Sequence, residues 1–79
     1  MPVFDVYSRR GCHLCDVLLE QLVELVAGRA RIDVHDVDSR EDWRDAYGRQ
    51  VPVVEFRGRP VCALSLDRDA VEAALATGA

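Results

Sequence analysis

The sequence has no apolar run longer than a few residues, which excludes a transmembrane helix because a membrane span needs about 20 consecutive apolar residues. It also has no lysine: all 10 of its Lys/Arg positions are arginine, against 14 acidic residues, and the formal net charge is −4. An acidic chain of this kind is a poor nucleic-acid binder, since phosphate neutralisation needs a basic face. We therefore expect neither a membrane nor a nucleic acid as partner.

The chain shows no secretory signal. Met1-Pro2 leads straight into Val3-Phe4-Asp5-Val6-Tyr7, without a basic n-region or a long apolar h-region. We therefore expect the protein in the cytoplasm, where thiols are kept reduced. The sequence has only three cysteines, and an odd number in that compartment does not indicate a disulfide framework. A Cys-x-x-Cys pair there is more typical of redox catalysis or of metal binding.

With 79 residues, the chain has room for a single domain over residues 1–79. Hydrophobic periodicity divides it into seven elements in the order β-α-β-α-β-β-α. Strands are predicted over Val3–Tyr7, around Ile32–Val34, over Val51–Phe56 and over Arg59–Leu64. Helices are predicted over His13–Ala27, from Ser39 to Gly48 and over Asp67–Ala76. This order favours an α/β fold with a four-stranded mixed sheet and helices on both faces.

Local signals in the first half refine these helix boundaries. Leu14, Leu18 and Leu22 recur at i, i+4 and i+8, and Cys15, Leu19 and Val26 fill out the same broad apolar stripe along the first helix. Gly28 suits the position just after the end of that helix. The segment Ser39-Arg40-Glu41-Asp42 resembles a capping box, with Asp42 in place of the usual glutamate, and predicts the start of the second helix.

The second half carries a predicted hairpin and a third cysteine. Trp43 and Tyr47 lie at i and i+4 on the second helix and are predicted to belong to the core. Arg57-Gly58 predicts a tight two-residue turn. If the residues of the two hairpin strands pair one to one, Val53 lies opposite Cys62. Cys62 is then either a small core residue, as free cysteines commonly are, or a thiol that pairs with Cys12 under oxidation.

The dithiol Cys12-His13-Leu14-Cys15 lies where the first strand gives way to the first helix. At a helix start the backbone N–H groups lack partners and the helix dipole is positive. A thiolate at Cys12 is therefore stabilised, and its pKa is expected to fall. Cys15 lies one turn deeper on the same face. The spacing predicts Cys12 as the exposed nucleophile and Cys15 as the resolving thiol that breaks the mixed disulfide.

Further residues are predicted to contact the substrate. Arg9 and Arg10 directly precede the dithiol and His13 lies within it, so they are placed to steer a substrate or to tune the thiols. Val51-Pro52 begins a predicted strand, where the missing proline N–H is tolerated. Next to a Cys-x-x-Cys helix we expect this bond to be cis, which would present the Val51 backbone to a substrate chain for strand-like pairing.

A zinc site is the main rival interpretation of the dithiol. It would need two more ligands, and the sequence has no second Cys-x-x-Cys and no His-x-x-x-His. Only Cys62 and His35, from distant segments, are available as additional ligands. We therefore expect no bound metal.

Taken together, the segments Tyr7–Cys15, Gln50–Val54 and Asp67–Val71 resemble the glutaredoxins, and more closely the small bacterial glutaredoxin-like proteins. The resemblance covers essentially the whole chain and implies a thioredoxin fold, a cis proline at Pro52 and a nucleophile at Cys12. Two motifs differ. Cys-His-Leu-Cys replaces the common Cys-Pro-Tyr-Cys, and Cys62-Ala63-Leu64-Ser65 replaces the Gly-Gly-Asp clamp that holds the γ-glutamyl end of glutathione.

The sequence thus predicts a thiol–disulfide oxidoreductase that acts on disulfides of proteins or of small thiols. We expect no bound cofactor, with glutathione as a candidate co-substrate whose carboxylate Arg9 or Arg10 would meet, and we expect a monomer. The alternative is a non-catalytic thioredoxin-fold module that binds a protein partner or a metal.

Overall fold

The computed structural model describes residues 1–77, and its elements follow the predicted order. The strands are β1 Val3–Ser8, β2 Arg31–Asp36, β3 Val53–Phe56 and β4 Arg59–Ala63. The helices are α1 His13–Val26, α2 Glu41–Tyr47 and α3 Arg68–Thr77, and a 3-10 turn over Val37–Ser39 precedes α2. The predicted α/β fold is confirmed: one mixed sheet has the order β2-β1-β3-β4, with β1 parallel to β2 and antiparallel to β3.

The main core lies between the sheet and the two longer helices. Because strand side chains alternate between the two faces of a sheet, Phe4 and Val6 of β1 point to the same side. Both are fully buried there. The core cluster is completed by side chains from β3, α1 and α3, namely Val54, Phe56, Leu18, Leu22, Val26 and Val71. The helices α1 and α3 therefore cover one face of the sheet.

An aromatic cluster on the opposite face joins the sheet to α2. The ring of Tyr7 stacks on Tyr47 at 3.9 Å between centroids and on His35 at 5.0 Å, with Trp43 edge-on at 5.6 Å. His35 Nε2 also lies 2.8 Å from Asp5 Oδ1. The prediction that Trp43 and Tyr47 belong to the core is wrong in this respect: both are half-buried, because the seven-residue α2 covers only part of this face.

Two further predictions, the burial of Leu14 and the capping box at Ser39, are also wrong. Leu14 is 53% exposed, because it lies to one side of the buried stripe of α1, which runs through Cys15, Leu18, Leu22 and Val26 as predicted. The capping box at Ser39 does not form. Arg40 is the N-cap of α2 and its side chain makes no capping hydrogen bond, and the Ser39 hydroxyl instead donates to the Asp36 carbonyl at 2.6 Å. The 3-10 turn has taken up the residues that the box would need.

The β3–β4 hairpin turns at Arg57-Gly58, as predicted. Both residues have positive φ, 54° and 78°, which a two-residue type I′ turn requires. A β-bulge next to Val54 then shifts the register, so Cys62 lies opposite Val54 and not opposite Val53 as predicted. The predicted pairing is wrong because β4 contains one extra residue there, beside Pro60, which has no N–H to donate.

The remaining boundaries differ from the prediction by two residues or fewer. The strand β3 begins at Val53, not Val51, and β4 ends before Leu64. Asp67 caps α3 as predicted, since its Oδ1 accepts the Ala70 N–H at 3.0 Å. Across residues 1–77, no helix combines the length and the apolar character that crossing a bilayer requires.

Candidate functional site

The dithiol lies between the end of β1 and the start of α1. Gly11 has a φ of +74°, a conformation that glycine adopts at low cost, and it turns the chain into Cys12. Cys12 is the N-cap of α1 and is half-buried, whereas Cys15 is only 1% exposed. The two sulfurs lie at disulfide distance, with the Cα atoms 5.2 Å apart. Cys12 is therefore the more accessible of the two cysteines.

Backbone hydrogen bonds fix Cys12 at the helix start. The Cys15 N–H donates to Cys12 Sγ at 3.1 Å, and the Asp16 N–H donates to the Cys12 carbonyl at 3.1 Å. The sulfur of Cys12 thus satisfies an N–H group that has no partner within the helix. The same donor and the positive end of the helix dipole favour negative charge on this sulfur when the pair is reduced.

The segment Val51-Pro52 lies at the same end of the sheet as the dithiol. Val53 pairs with Tyr7, so Pro52 lies level with Ser8, where β1 ends. The Val51–Pro52 bond is cis and the Pro52 ring is fully buried. Val51 is half-buried, and within residues 1–77 its N–H and C=O form no backbone hydrogen bond. The Val51 N–H and C=O are thus not part of the backbone pairing of the sheet.

The guanidinium of Arg9, a predicted substrate contact, is hydrogen-bonded to other residues of this chain. Its guanidinium donates to Asp38 Oδ2 at 2.9 Å and to the Gly48 carbonyl at 3.0 Å. Asp38 also accepts a hydrogen bond from Arg44 at 3.3 Å. A Cβ at Gly48 would lie 2.5 Å from the Arg44 carbonyl oxygen and 3.1 Å from the Arg9 guanidinium, so the close approach of this backbone requires glycine. Since the Arg9 carbonyl accepts the Cys12 N–H at 3.3 Å, this network anchors the loop before the dithiol.

Asp38 is the site residue that sequence reasoning missed. It lies in the acidic segment Asp33-Val34-His35-Asp36-Val37-Asp38, which reads as a strand end followed by a helix cap. The only available signal was an unassigned carboxylate shortly before a helix. Its partner Arg9 lies 29 residues away in sequence, and no local pattern connects them.

The pKa of Asp38 lies below its ordinary value, because Arg9 donates to its carboxylate and Arg44 adds a second donor. Such a group stabilises the fold above its unfolded-state pKa of about 3.9, and the stabilisation disappears as the pH falls through the lower folded-state pKa. We expect Asp38→Asn to lower the free energy of unfolding by a constant amount from neutral pH to about pH 5. Below about pH 4 the difference from the wild type should shrink. Urea unfolding over a pH series measures it.

A matched control for this experiment is Asp42→Asn. The pKa of Asp42 is also lowered, by Arg40, but that pair does not contact the dithiol loop. In acid, both variants should approach the wild type in free energy of unfolding. Only Asp38→Asn should weaken the hydrogen-exchange protection of the Cys12 amide. Equal protection of that amide in the two variants would contradict an anchoring role for Asp38.

Arg10 and His13 are exposed beside the dithiol. The side chain of Arg10 makes no hydrogen bond or ion pair with any residue of the described chain, which leaves its charge available. The predicted substrate-contacting set therefore separates into two groups. Arg10 and His13 are exposed and the Val51 backbone makes no backbone hydrogen bond within residues 1–77, whereas Arg9 is held by Asp38 and the Pro52 ring is buried.

Cys62 is half-buried and packs against the main core. Burial raises the pKa of its thiol above the ordinary value, which disfavours the reactive thiolate. These features fit a small core residue.

Within residues 1–77, no three His, Cys, Asp or Glu side chains are grouped so that they could hold a metal ion. His35, one of the two additional zinc ligands considered, contacts Asp5 on the α2 face.

Several solved structures share this fold. A structural-genomics target protein from X. campestris is 31% identical, with 92% of this chain and 95% of that chain covered and a TM-score of 0.75. A malarial protein is 11% identical, with coverages of 96% and 94% and a TM-score of 0.65. The germline-specific thioredoxin Deadhead from Drosophila melanogaster is 18% identical, with coverages of 95% and 78% and a TM-score of 0.53. At 11% and 18% identity, the similarity to the last two structures shows the fold alone. Among curated proteins, none matches this chain significantly.

A family model gives the assignment. The model described as glutaredoxin-like domain (DUF836) matches residues 5–76, which include both cysteines of the dithiol and the cis proline. The Cys12–Cys15 pair at disulfide distance is consistent with thiol–disulfide redox chemistry. With nearly its whole length matched, the chain belongs to the glutaredoxin-like domain (DUF836) family.

Proposed function

We propose that this protein is a thiol–disulfide oxidoreductase that reduces disulfides of proteins or of small thiols. The observation that carries the proposal is the unequal pair at the start of α1: an accessible Cys12 sulfur at disulfide distance from a buried Cys15 sulfur. Membership of a glutaredoxin-like family supports the same chemistry.

The reaction proceeds by two exchange steps from the reduced dithiol. The Cys12 thiolate attacks one sulfur of the substrate disulfide, so a Cys12–substrate bond forms, the substrate S–S bond breaks, and the leaving thiolate takes up a proton. Cys15 then loses its proton and attacks Cys12 Sγ. The Cys12–Cys15 bond forms and the second substrate thiol leaves. Two electrons have moved from the dithiol to the substrate, and an external thiol must reduce the protein again.

The surroundings of Cys12 support the first step. The Cys15 N–H at 3.1 Å and the start of α1 stabilise a thiolate at Cys12. Arg10 and His13 are exposed next to it, and Arg10 adds a positive charge. A stabilised thiolate increases the reactive fraction at neutral pH and also makes Cys12 a better leaving group when Cys15 attacks.

Substrate docking is assigned to the backbone of Val51. Its N–H and C=O form no backbone hydrogen bond within residues 1–77, and they lie at the end of the sheet where β1 leads to Cys12. A substrate chain in extended conformation pairs there as a short additional strand.

Glutathione is a candidate co-substrate, and Arg10 is the better partner for its carboxylate because Arg9 is bound to Asp38. We further propose that the protein acts in the cytoplasm as a monomer, without a bound cofactor.

The test is to trap partners with Cys15→Ser. Without the resolving thiol, the mixed disulfide on Cys12 should persist, and partners should be released only by a reductant. Covalent complexes are separated on non-reducing gels and identified by mass spectrometry.

Two controls define the result of the trapping experiment. Cys12→Ser combined with Cys15→Ser should recover no covalent partner, and Cys62→Ser combined with Cys15→Ser should recover the same partners as Cys15→Ser alone. Complexes that form equally well without Cys12 would count against the proposed nucleophile. Recovery of no Cys12-dependent complex would favour the non-catalytic module.

A further inference from the structure

Leu64 adopts a backbone conformation that leucine rarely takes. Its φ is +70°, in the left-handed region that is unfavourable for any residue with a Cβ other than asparagine or aspartate. Its side chain is nevertheless 49% exposed, so burial contributes only part of what a core leucine would gain. A strained residue whose side chain is left half in solvent points to a role outside the fold.

The register of the sheet places Leu64 at the dithiol end. Val53 is paired with Tyr7 on one side and with Ala63 on the other, so the next residues, Pro52 and Leu64, lie level with the end of β1. The Leu64 N–H donates to the Pro52 carbonyl at 2.8 Å, which fixes the two segments together. Leu64 is therefore attached to the segment that offers the Val51 backbone to a substrate.

The unpaired polar groups of Val51 indicate what kind of molecule would meet Leu64. An N–H and a C=O at a strand end are complementary to an extended polypeptide backbone. Side chains of such a peptide alternate between its two sides, so one of them lies toward the neighbouring segment. Leu14, 53% exposed within the dithiol segment, adds a second apolar side chain near Cys12. The site thus combines backbone pairing with apolar contact.

We propose that Leu64 is a specificity-determining residue, which selects disulfides in extended polypeptides that carry an apolar residue beside the cysteine over small hydrophilic disulfides. The proposal rests on the proposed function in one respect, that the protein reduces the disulfide of the bound peptide. The docking of the peptide is independent of thiol chemistry, and it is tested separately.

The experiment measures the binding of two unreactive peptides by NMR titration of the labelled protein. Both are extended pentapeptides with serine in place of cysteine, flanked by leucine in one and by serine in the other. The wild type should bind the leucine peptide about tenfold more tightly, which corresponds to about 1.4 kcal/mol. Leu64→Gly and Leu64→Asn should lose this preference, and Leu64→Met should keep it. Equal preference in the wild type and Leu64→Gly would overturn the proposal.

Val23→Ala is the matched control. Val23 is 55% exposed on α1, eleven residues after Cys12, and should leave the preference unchanged. Leu64→Gly relieves the unfavourable φ while it removes a half-buried side chain, so these two effects on stability oppose each other. Leu64→Asn keeps a side chain that tolerates this φ. The two variants share the loss of the apolar group but not the change in backbone freedom.

A second measurement uses the corresponding disulfide peptides as substrates. The preference for leucine should appear in KM, with kcat unchanged, and it should be lost in Leu64→Gly. Absence of turnover with every disulfide would refute the proposed function, while the binding data would still decide the role of Leu64. Equal binding of both peptides by the wild type, together with turnover of a small disulfide, would refute the role of Leu64 and leave the oxidoreductase standing.

Discussion

Cys12→Ser should reduce disulfide turnover to the uncatalysed rate, a loss on the order of 10⁴-fold or more, since removing the nucleophile of a catalytic unit abolishes nearly all of its effect. A serine hydroxyl at the start of α1 still accepts the Cys15 N–H, so the fold and the helix cap are retained. It forms no disulfide, however, and the first exchange step is lost. Turnover is measured with a model disulfide and a reducing thiol in excess.

Two further cysteine variants complete this experiment. Cys15→Ser should form the mixed disulfide at nearly the wild-type rate but release it only when an external thiol attacks, because the buried resolving thiol is absent. Cys62→Ser should retain turnover, because Cys62 packs against the core and burial raises the pKa of its thiol. If Cys12→Ser keeps its activity, or if Cys62→Ser loses as much as Cys12→Ser, the assignment of the nucleophile is wrong.

The dithiol and its helix could be predicted because each signal is local. The Cys-x-x-Cys spacing, the glycine before it and the periodic leucines after it lie within one short stretch of chain. The structure places Cys12 at the N-cap and buries Cys15, as a helix starting at His13 requires. The order of strands and helices follows from similar short-range patterns, together with the right-handed crossover between parallel strands.

Register and long-range pairing could not be obtained in that way. The position of Cys62 was inferred by counting back from the hairpin turn, and a single extra residue in β4 moves it from Val53 to Val54. Because strand faces alternate, the shift also moves Cys62 onto the face that carries the main core. Arg9 looked available for substrate because its partner Asp38 becomes adjacent only when β1 and the turn before α2 are brought together.

The backbone conformation of Leu64 is another feature that the sequence does not predict. Nothing in a leucine side chain predicts a positive φ, and the same residue would fit the end of a predicted strand equally well. The exposure of Leu14 was also unexpected, since the i, i+4 spacing with Leu18 is typical of a buried stripe. Leu14 lies within the dithiol segment, and Leu64 lies at the same end of the sheet. Under the role proposed for Leu64, a substrate supplies the apolar contacts that the fold does not make there.

Leu22→Ala should lower the free energy of unfolding by about 3 kcal/mol, within the 2–5 kcal/mol typical of buried leucines. Leu22 is 0% exposed and lies in the main core, so its removal leaves a cavity between α1 and the sheet. Helix propensity does not cause the loss, because alanine is the best helix former. Urea denaturation followed by circular dichroism measures the change.

The effect is large because the domain is small. A chain of 79 residues has a total stability of about 4–12 kcal/mol, so this one side chain accounts for a large share of it. The midpoint of thermal unfolding should fall by roughly 12–24 °C. Val23→Ala, one residue along the same helix and 55% exposed, should change the stability by no more than about 0.5 kcal/mol. Similar losses in the two variants would contradict the burial of Leu22. Since Cys12 is the N-cap of α1, Leu22→Ala should lose disulfide exchange at the temperature where it unfolds, while its turnover below that temperature stays near the wild-type value.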